Sequence, residues 1–244
     1  MNFDKIKNQV ITPLLDFIFP IECVGCQKEG EWLCEPCFEK LSFYKNQYCP
    51  ICKQEGLMGK FCPNCKPFYE IDRIFIAGNY KNIVIADLIK KLKFYSVKNI
   101  ANILGEYLYV FIKKEIKIFD KNNHPSFPLK KTLIVPVPLS HKRYNFRTFN
   151  QSEEIAKFLA KKCKLPTSNN LIKIKHTKPQ TKLKRENRLK NIKNCFKWEG
   201  ENLNKKNILL IDDVVTTGST LNECARELKK HGAGKIWGLV VAKG

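Results

Sequence analysis

Ile208-Leu209-Leu210-Ile211-Asp212-Asp213-Val214-Val215-Thr216-Thr217-Gly218-Ser219-Thr220 decides the fold of this 244-residue chain. The aliphatic run Ile208 to Ile211 suits a strand covered on both faces, as in a parallel sheet. Two carboxylates follow, then hydroxyl residues around one glycine. Leu221, Cys224, Ala225 and Leu228 recur at helical spacing, and His231-Gly232 supplies a stop. A second apolar run from Ile236 to Ala242 completes a strand-loop-helix-strand unit.

Amides in a loop that enters a helix point outward, and the helix dipole favours an anion there. Gly218 allows close backbone approach, and Thr216, Thr217, Ser219 and Thr220 offer hydroxyl donors. The loop reads as a cradle for a phosphate monoester. Asp212 and Asp213 would repel a phosphate, so they face sugar hydroxyls or magnesium instead. Phosphate at one end and a diol at the other describe a ribose 5-phosphate.

The same stretch, Ile211 to Thr220, resembles the phosphoribosyl pyrophosphate (PRPP) motif of type I phosphoribosyltransferases. The resemblance implies an α/β fold: a phosphoribosyltransferase-like parallel sheet with flanking helices. It makes Asp212 and Asp213 the catalytic pair that holds the ribose hydroxyls. It makes Val214, Val215, Thr216, Thr217, Gly218, Ser219 and Thr220 the rest of the PRPP-binding segment, with magnesium accompanying PRPP.

Working outward, four CxxC pairs precede this region: Cys23/Cys26, Cys34/Cys37, Cys49/Cys52 and Cys62/Cys65. A CxxC turn places two thiolates on one metal, and two turns close a tetrahedral site. The spacing predicts two structural zinc ions in a small N-terminal zinc-ribbon module. Sequential grouping, Cys23 to Cys37 and Cys49 to Cys65, is preferred; a cross-brace of first with third pair also satisfies the spacing. So few aliphatic residues accompany the cysteines that folding should depend on the metal. The boundary is expected near Lys66-Pro67, giving residues 1–67 as an N-terminal helix and double ribbon, and 68–244 as the transferase-like domain.

Other elements are read from periodicity. Phe3 to Phe19 reads as an amphipathic helix. Arg73 to Tyr80 reads as a strand, Ile83 to Leu92 and Val97 to Ile118 as helices, and Asp120 to Lys131 as a polar loop. Leu133 to Pro138 reads as a strand that its prolines terminate. Leu139 to Arg147 reads as a basic loop; the resemblance to phosphoribosyltransferases implies that it is the pyrophosphate loop, with His141, Lys142, Arg143 and Arg147 as candidates. Phe149 to Leu165 is a helix and Leu171 to Ile174 a short strand. Lys175 to Phe196 reads as a cationic segment; the resemblance to type I enzymes implies a mobile catalytic loop there, with Lys182, Lys184, Arg185 and Arg188 able to close on pyrophosphate. The same composition suits a nucleic-acid backbone. Cys163, Cys195 and Cys224 have no partners in the pattern, and Cys224 is expected to be buried on its helix.

The formal net charge is +21. Two four-thiolate zinc sites, each about −2, still leave roughly +17, which predicts an anionic partner. No stretch approaches the roughly 20 apolar residues of a spanning helix, so no membrane insertion is expected. CxxC pairs without a secretion signal predict metal rather than disulfides, and the cytoplasm.

The chain as a whole resembles the competence protein ComF family. The markers are the CxxC pairs, Leu92-Lys93-Phe94, Val135-Pro136-Val137-Pro138-Leu139, Phe149-Asn150-Gln151, and Thr177-Lys178-Pro179-Gln180 with Arg188 and Asn191. One departure is Thr148, where the family usually carries glycine, which predicts a different local turn. The resemblance implies a role in DNA uptake during natural transformation, with PRPP, single-stranded DNA and DNA-uptake or helicase proteins as partners. It leaves two readings open: a PRPP-dependent transferase, or a non-catalytic PRPP- and single-stranded-DNA-binding factor. It names no acceptor. A hood over the site is expected only from residues before Leu133.

Overall fold

A computed structural model of the chain describes residues 20–44, 48–54, 59–94, 97–116, 132–175 and 192–244. The expected helix at Phe3 to Phe19, the loop at Asp120 to Lys131 and residues 176–191 of the cationic segment lie outside the described residues. The chain divides into two compact units, Met1–Ser42 and Phe43–Gly244. The Cys49–Cys65 set therefore belongs to the larger unit.

In the smaller unit, the short helix α1 (Glu35–Glu39) follows Cys34. Knuckle turns hold the rest: Gln27 N donates to Cys23 O at 2.8 Å, and Phe38 N to Cys34 O at 2.9 Å.

The larger unit is built on a parallel sheet of four strands, β1 (Arg73–Asn79), β2 (Thr132–Pro136), β5 (Asn207–Val215) and β6 (Ile236–Lys243), in the order β1-β6-β5-β2. Between β1 and β2 lie α2 (Ile83–Phe94) and α3 (Asn99–Phe111), the latter continuing as a π-turn, Ile112–Ile116. Next come α4 (His141–Arg147), α5 (Gln151–Cys163), β3 (Leu171–Lys173) and β4 (Phe196–Trp198). The final helix, α6 (Ser219–Lys230), joins β5 to β6.

The sheet centre is dry because β5 and β6 are apolar on both faces, the pattern of strands covered on two sides. Ile208, Leu210, Ile236 and Val240 are completely buried, and they share one core with Leu221, Cys224 and Leu228 of α6. Each such side chain contributes about 1.5–3 kcal/mol on burial. Helix α5 packs against β5 and β2, and α3 against α5. The site is thus set at the carboxyl ends of parallel strands, where open α/β sheets place ligands.

Four local expectations change. Strand β5 runs through Asp212 and Asp213 to Val215, because pairing with β6 continues to Val214↔Ala242 and Val215↔Lys243. The strand thus extends four residues beyond the aliphatic run and carries both carboxylates. Leu139 to Arg147 is no loop over its length: His141–Arg147 forms α4. Phe196–Trp198 forms a strand, unforeseen at three residues, that pairs antiparallel with β3. Thr148 keeps the left-handed turn that glycine would favour, with φ 64°. Its hydroxyl donates to Arg147 O at 2.6 Å, which offsets part of the strain.

Candidate functional site

Helix α6 begins at Gly218, whose φ of 70° lies in the left-handed region. That conformation turns the chain from β5 into the helix, and a side chain there would be strained. A Cβ at Gly218 would also come within 3.1 Å of Ile74 Cδ1. Thr217 Oγ1 and Ser219 Oγ share a hydrogen bond of 3.0 Å across the turn. The loop is braced from below: Tyr69 Oη donates to Thr217 O at 3.1 Å. Asn222, in the first turn of α6, accepts from Glu70 N at 2.7 Å and donates to Phe68 O at 3.2 Å.

The two carboxylates are held differently. Asp213 is 8% exposed, and its Oδ1 meets Lys93 Nζ at 2.9 Å. Asp212 Oδ1 accepts from the Ser152 hydroxyl at 3.1 Å and from Asp213 N at 2.9 Å. Part of Asp212 remains exposed, yet its carboxyl group sits deep. Burial first, and the charge of Asp213 second, push its pKa up to about 7, against the pull of Lys93 and the two hydrogen bonds.

The segment Phe149-Asn150-Gln151 has a mechanical role here. Phe149 is buried. Asn150 caps α5 by accepting from Ser152 N at 3.2 Å, while its amide donates to Val137 O at 3.0 Å. The cap ties the start of α5 to the chain leaving β2 and so sets Ser152 against Asp212. Gln151 Oε1 accepts from Arg147 at 3.0 Å, and the Arg147 guanidinium lies 5.5 Å from the Phe94 ring centre. Burial pulls the Arg147 pKa down, the two aspartates oppose that, and Arg143 adds to it. Lys173 on β3 is likewise lowered, by burial and then by Arg143. Arg143, Arg147 and Lys173 therefore form one cationic flank beside the carboxylates.

Val214 and Val215 continue β5, and Thr216 to Thr220 make the turn into α6. Of the cation candidates, Lys142 is exposed on α4, Arg143 joins the cationic flank, and His141 lines a neighbouring cavity. Lys182, Lys184, Arg185 and Arg188 lie outside the described residues. Lys93, Ser152 and Tyr69 were not assigned to the site from sequence. Lys93 carried a signal: it stands four residues after Ile89 on the face of α2 that buries Ile85, Leu88, Ile89 and Leu92. A cation on an apolar face needs a counter-charge.

The eight cysteines form two sets, Cys23/Cys26/Cys34/Cys37 and Cys49/Cys52/Cys62/Cys65, with the sulfurs of each within 4.8 Å of one another. The sequential grouping is thus the one formed. The Sγ atoms of Cys26 and Cys34 are 3.6 Å apart, and those of Cys52 and Cys62 3.5 Å. Tetrahedral zinc with Zn–S bonds of about 2.3 Å places sulfurs roughly 3.8 Å apart, so both sets fit the ion. Backbone N–H groups of Cys34 and Cys62 donate to Cys23 and Cys49 sulfurs at 3.4 and 3.5 Å. Four protein ligands leave no open position, which makes both zinc sites structural.

The second set is part of the larger unit's core. Phe61 stacks on Tyr69 at 4.6 Å between ring centres, and Ile74 N donates to Gly59 O at 2.9 Å. Lys243, at the end of β6, donates to Pro50 O at 2.8 Å. Ile51, inside the Cys49/Cys52 turn, has its Cδ1 3.8 Å from where a Gly218 Cβ would stand.

Residues 14–66 match the double zinc ribbon domain family, and residues 150–243 the phosphoribosyl transferase domain family. Competence protein F of Haemophilus influenzae is 32% identical over 92% of this chain and 98% of its own. Competence protein ComFC of Bacillus subtilis is 29% identical over 84% of this chain and 81% of its own. DNA utilization protein YhgH of Escherichia coli K12 is 31% identical over 62% of this chain and 64% of its own. With two zinc-ribbon cysteine sets, a transferase-type sheet and this similarity along nearly its whole length, the chain belongs to the competence protein F family.

Proposed function

We propose that the chain binds PRPP at the carboxyl end of β5 and serves DNA uptake, a reading that the competence and DNA-utilization names of its relatives support. The observation that carries the reading is the juxtaposition at one strand end. The Gly218 turn opens the twelve-residue helix α6, and Asp212 and Asp213 immediately precede it. The 5-phosphate takes the amides and hydroxyls of Thr216 to Thr220. The ribose diol donates to the Asp212 and Asp213 carboxylates. The pyrophosphate lies toward Arg143, Arg147 and Lys173, whose charges suit an anion. Magnesium bound with PRPP would supply further charge neutralisation.

For turnover, an acceptor lone pair forms a bond to the anomeric carbon as the bond to pyrophosphate oxygen breaks. Pyrophosphate leaves with the electron pair, and the acceptor's proton passes to solvent. The chain's contribution is to orient the ribose and stabilise charge on the leaving group.

A second reading, a non-catalytic factor that holds PRPP and single-stranded DNA, is favoured by one observation. Helix α4 exposes Tyr144 (46%) and Phe146 (74%) among Lys142, Arg143 and Arg147. Aromatic rings between cations suit stacked bases and their phosphates. Cytoplasmic action beside DNA-uptake or helicase proteins fits both readings; among the described residues no helix is long and apolar enough to cross a membrane.

Calorimetric titration of the zinc-loaded chain with PRPP and magnesium tests the site. Saturable binding that Asp212→Ala with Asp213→Ala abolishes, at unchanged zinc content, is the expected result. Equal affinity in the double variant overturns the assignment. Pyrophosphate release on adding an acceptor or DNA selects the transferase; binding without release selects the factor.

A further inference from the structure

Magnesium takes oxygen ligands in near-ideal octahedral geometry and is commonly held through one or two carboxylates together with ligand phosphates. The motif carboxylates offer it a poor purchase. Asp213 Oδ1 is engaged by Lys93 Nζ at 2.9 Å, with the two side chains 11% and 19% exposed. A metal bonded to that oxygen would set a dication against the ammonium. Asp212 Oδ1 already accepts from the Ser152 hydroxyl and from Asp213 N.

The wider charge balance has the same sign. Arg147 lies in the field of both carboxylates and Lys173 in that of Asp212, while Arg143 adds its charge to both of these cations. With Lys93, two carboxylates face four cations, and Coulomb repulsion opposes a further dication until a ligand brings its own negative charge. Among the described residues, the groups of three or more His, Cys, Asp or Glu side chains placed to share one ion are the two cysteine sets. An ammonium can serve a diol in place of a metal. It carries three N–H donors, and the contact with Asp213 uses one. A ribose hydroxyl that donates to Asp213 presents its lone pairs to the same ammonium. Lys93 stands on α2, whose Ile85, Leu88, Ile89 and Leu92 are buried, so the core places this cation before any ligand arrives.

We infer that Lys93 takes the place of a divalent cation at the ribose end of the proposed site, so that the chain binds a pentose phosphate without magnesium. Magnesium is then left to the pyrophosphate oxygens of PRPP. The inference deepens the PRPP reading and rests on it.

The full zinc-loaded chain is titrated calorimetrically with ribose 5-phosphate, in buffer passed over a chelating resin and in the same buffer with magnesium. PRPP with magnesium is titrated alongside. Wild-type affinity for ribose 5-phosphate should agree within about twofold in the two buffers. Lys93→Met should become metal-dependent, binding ribose 5-phosphate at least about fivefold more tightly with magnesium than without it. Manganese, followed by loss of the free-ion EPR signal in the presence of ribose 5-phosphate, should bind at the site in Lys93→Met and not in wild type. Neither readout is moved by a lysine that only stabilises the fold. Wild-type binding of ribose 5-phosphate that needs magnesium, or no such binding where PRPP binds, overturns the inference and leaves the PRPP reading in place. An affinity in Lys93→Met that neither metal changes also overturns it. The comparison of buffers in wild type stands without the variant, and failure of both ligands to bind wild type sinks the PRPP reading itself.

Discussion

Lys93 Nζ, near the end of α2, lies 2.9 Å from Asp213 Oδ1, so one carboxylate of the PRPP motif is already neutralised by the protein's own cation. The side chains are 19% and 11% exposed, which excludes the weak regime of surface ion pairs. The pair fixes the Asp213 carboxylate before any ligand arrives, and a preorganised acceptor loses less entropy on binding.

Removing one partner of a fully buried ion pair costs about 3–5 kcal/mol; partial exposure lowers the expectation for Lys93→Met to about 2 kcal/mol. Lys93→Met with Asp213→Asn should recover more than half of that loss, because no uncompensated charge remains. Urea unfolding of the four proteins in the cycle measures both. PRPP affinity should fall by about tenfold in Lys93→Met, a factor equivalent to about 1.4 kcal/mol. A Lys93→Met variant with wild-type stability and affinity would show that the contact is incidental.

Asp212 makes the site sensitive to pH near neutrality. Burial and the charge of Asp213 raise its pKa from 3.8 to about 7. With the folded-state value raised, the folded chain holds the proton more tightly than the unfolded chain. This group's contribution to stability is therefore full below about pH 4 and is lost as pH rises through 7. On the proposed reading ligand binding runs the other way, because the ribose diol would donate to the ionised carboxylate. PRPP affinity should rise with pH up to about 7 and level off above it, approaching tenfold per unit well below 7. The ligand's own phosphates also titrate near pH 6, so Asp212→Asn is the control. Dissociation constants from pH 5.5 to 8.5 should show a steeper rise in wild type than in Asp212→Asn. Parallel profiles would remove Asp212 from the titration.

The parallel sheet was legible because a doubly covered strand leaves an uninterrupted aliphatic run, as Ile208 to Ile211 and Ile236 to Ala242 do. The zinc sites were legible because thiolate spacing follows local turn geometry, so four CxxC pairs named their own ligands. The motif loop was legible for a similar local reason: Gly218 takes the left-handed turn that the strand-to-helix corner requires. What remained hidden depends on distant chain. Lys93 reaches Asp213, and Ser152 reaches Asp212, across 120 and 60 positions. Strand β4 is three residues long and is recognised only by its pairing with β3. Helix α4, His-Lys-Arg-Tyr-Asn-Phe-Arg, has no buried residue and hence no apolar periodicity to announce it. Nor does the ribbon's composition reveal that its second half is built into the transferase-type core.

That last feature makes the second zinc site a support of the turn into α6, the proposed phosphate loop. Ile51 sits inside the Cys49/Cys52 turn and packs toward Gly218. Tyr69, four residues beyond Cys65, donates to Thr217 O, and Phe61 stacks on Tyr69. Lys243 fastens the end of β6 to Pro50. Loss of the metal removes the constraint on Pro50, Ile51 and Phe61 together, and with them the floor under the turn. Cys52 is exposed, so Cys52→Ser removes a ligand without opening a core cavity. The variant should bind one zinc ion in place of two. Amide hydrogen exchange over residues 215–222 should accelerate by at least about tenfold, reporting a local opening that is more than 1.4 kcal/mol easier. PRPP affinity should fall with it, while β2 and α5 keep wild-type protection. Unchanged exchange in the loop of a variant that has lost one zinc would show that the Tyr69 and Ile51 contacts carry no constraint from the metal.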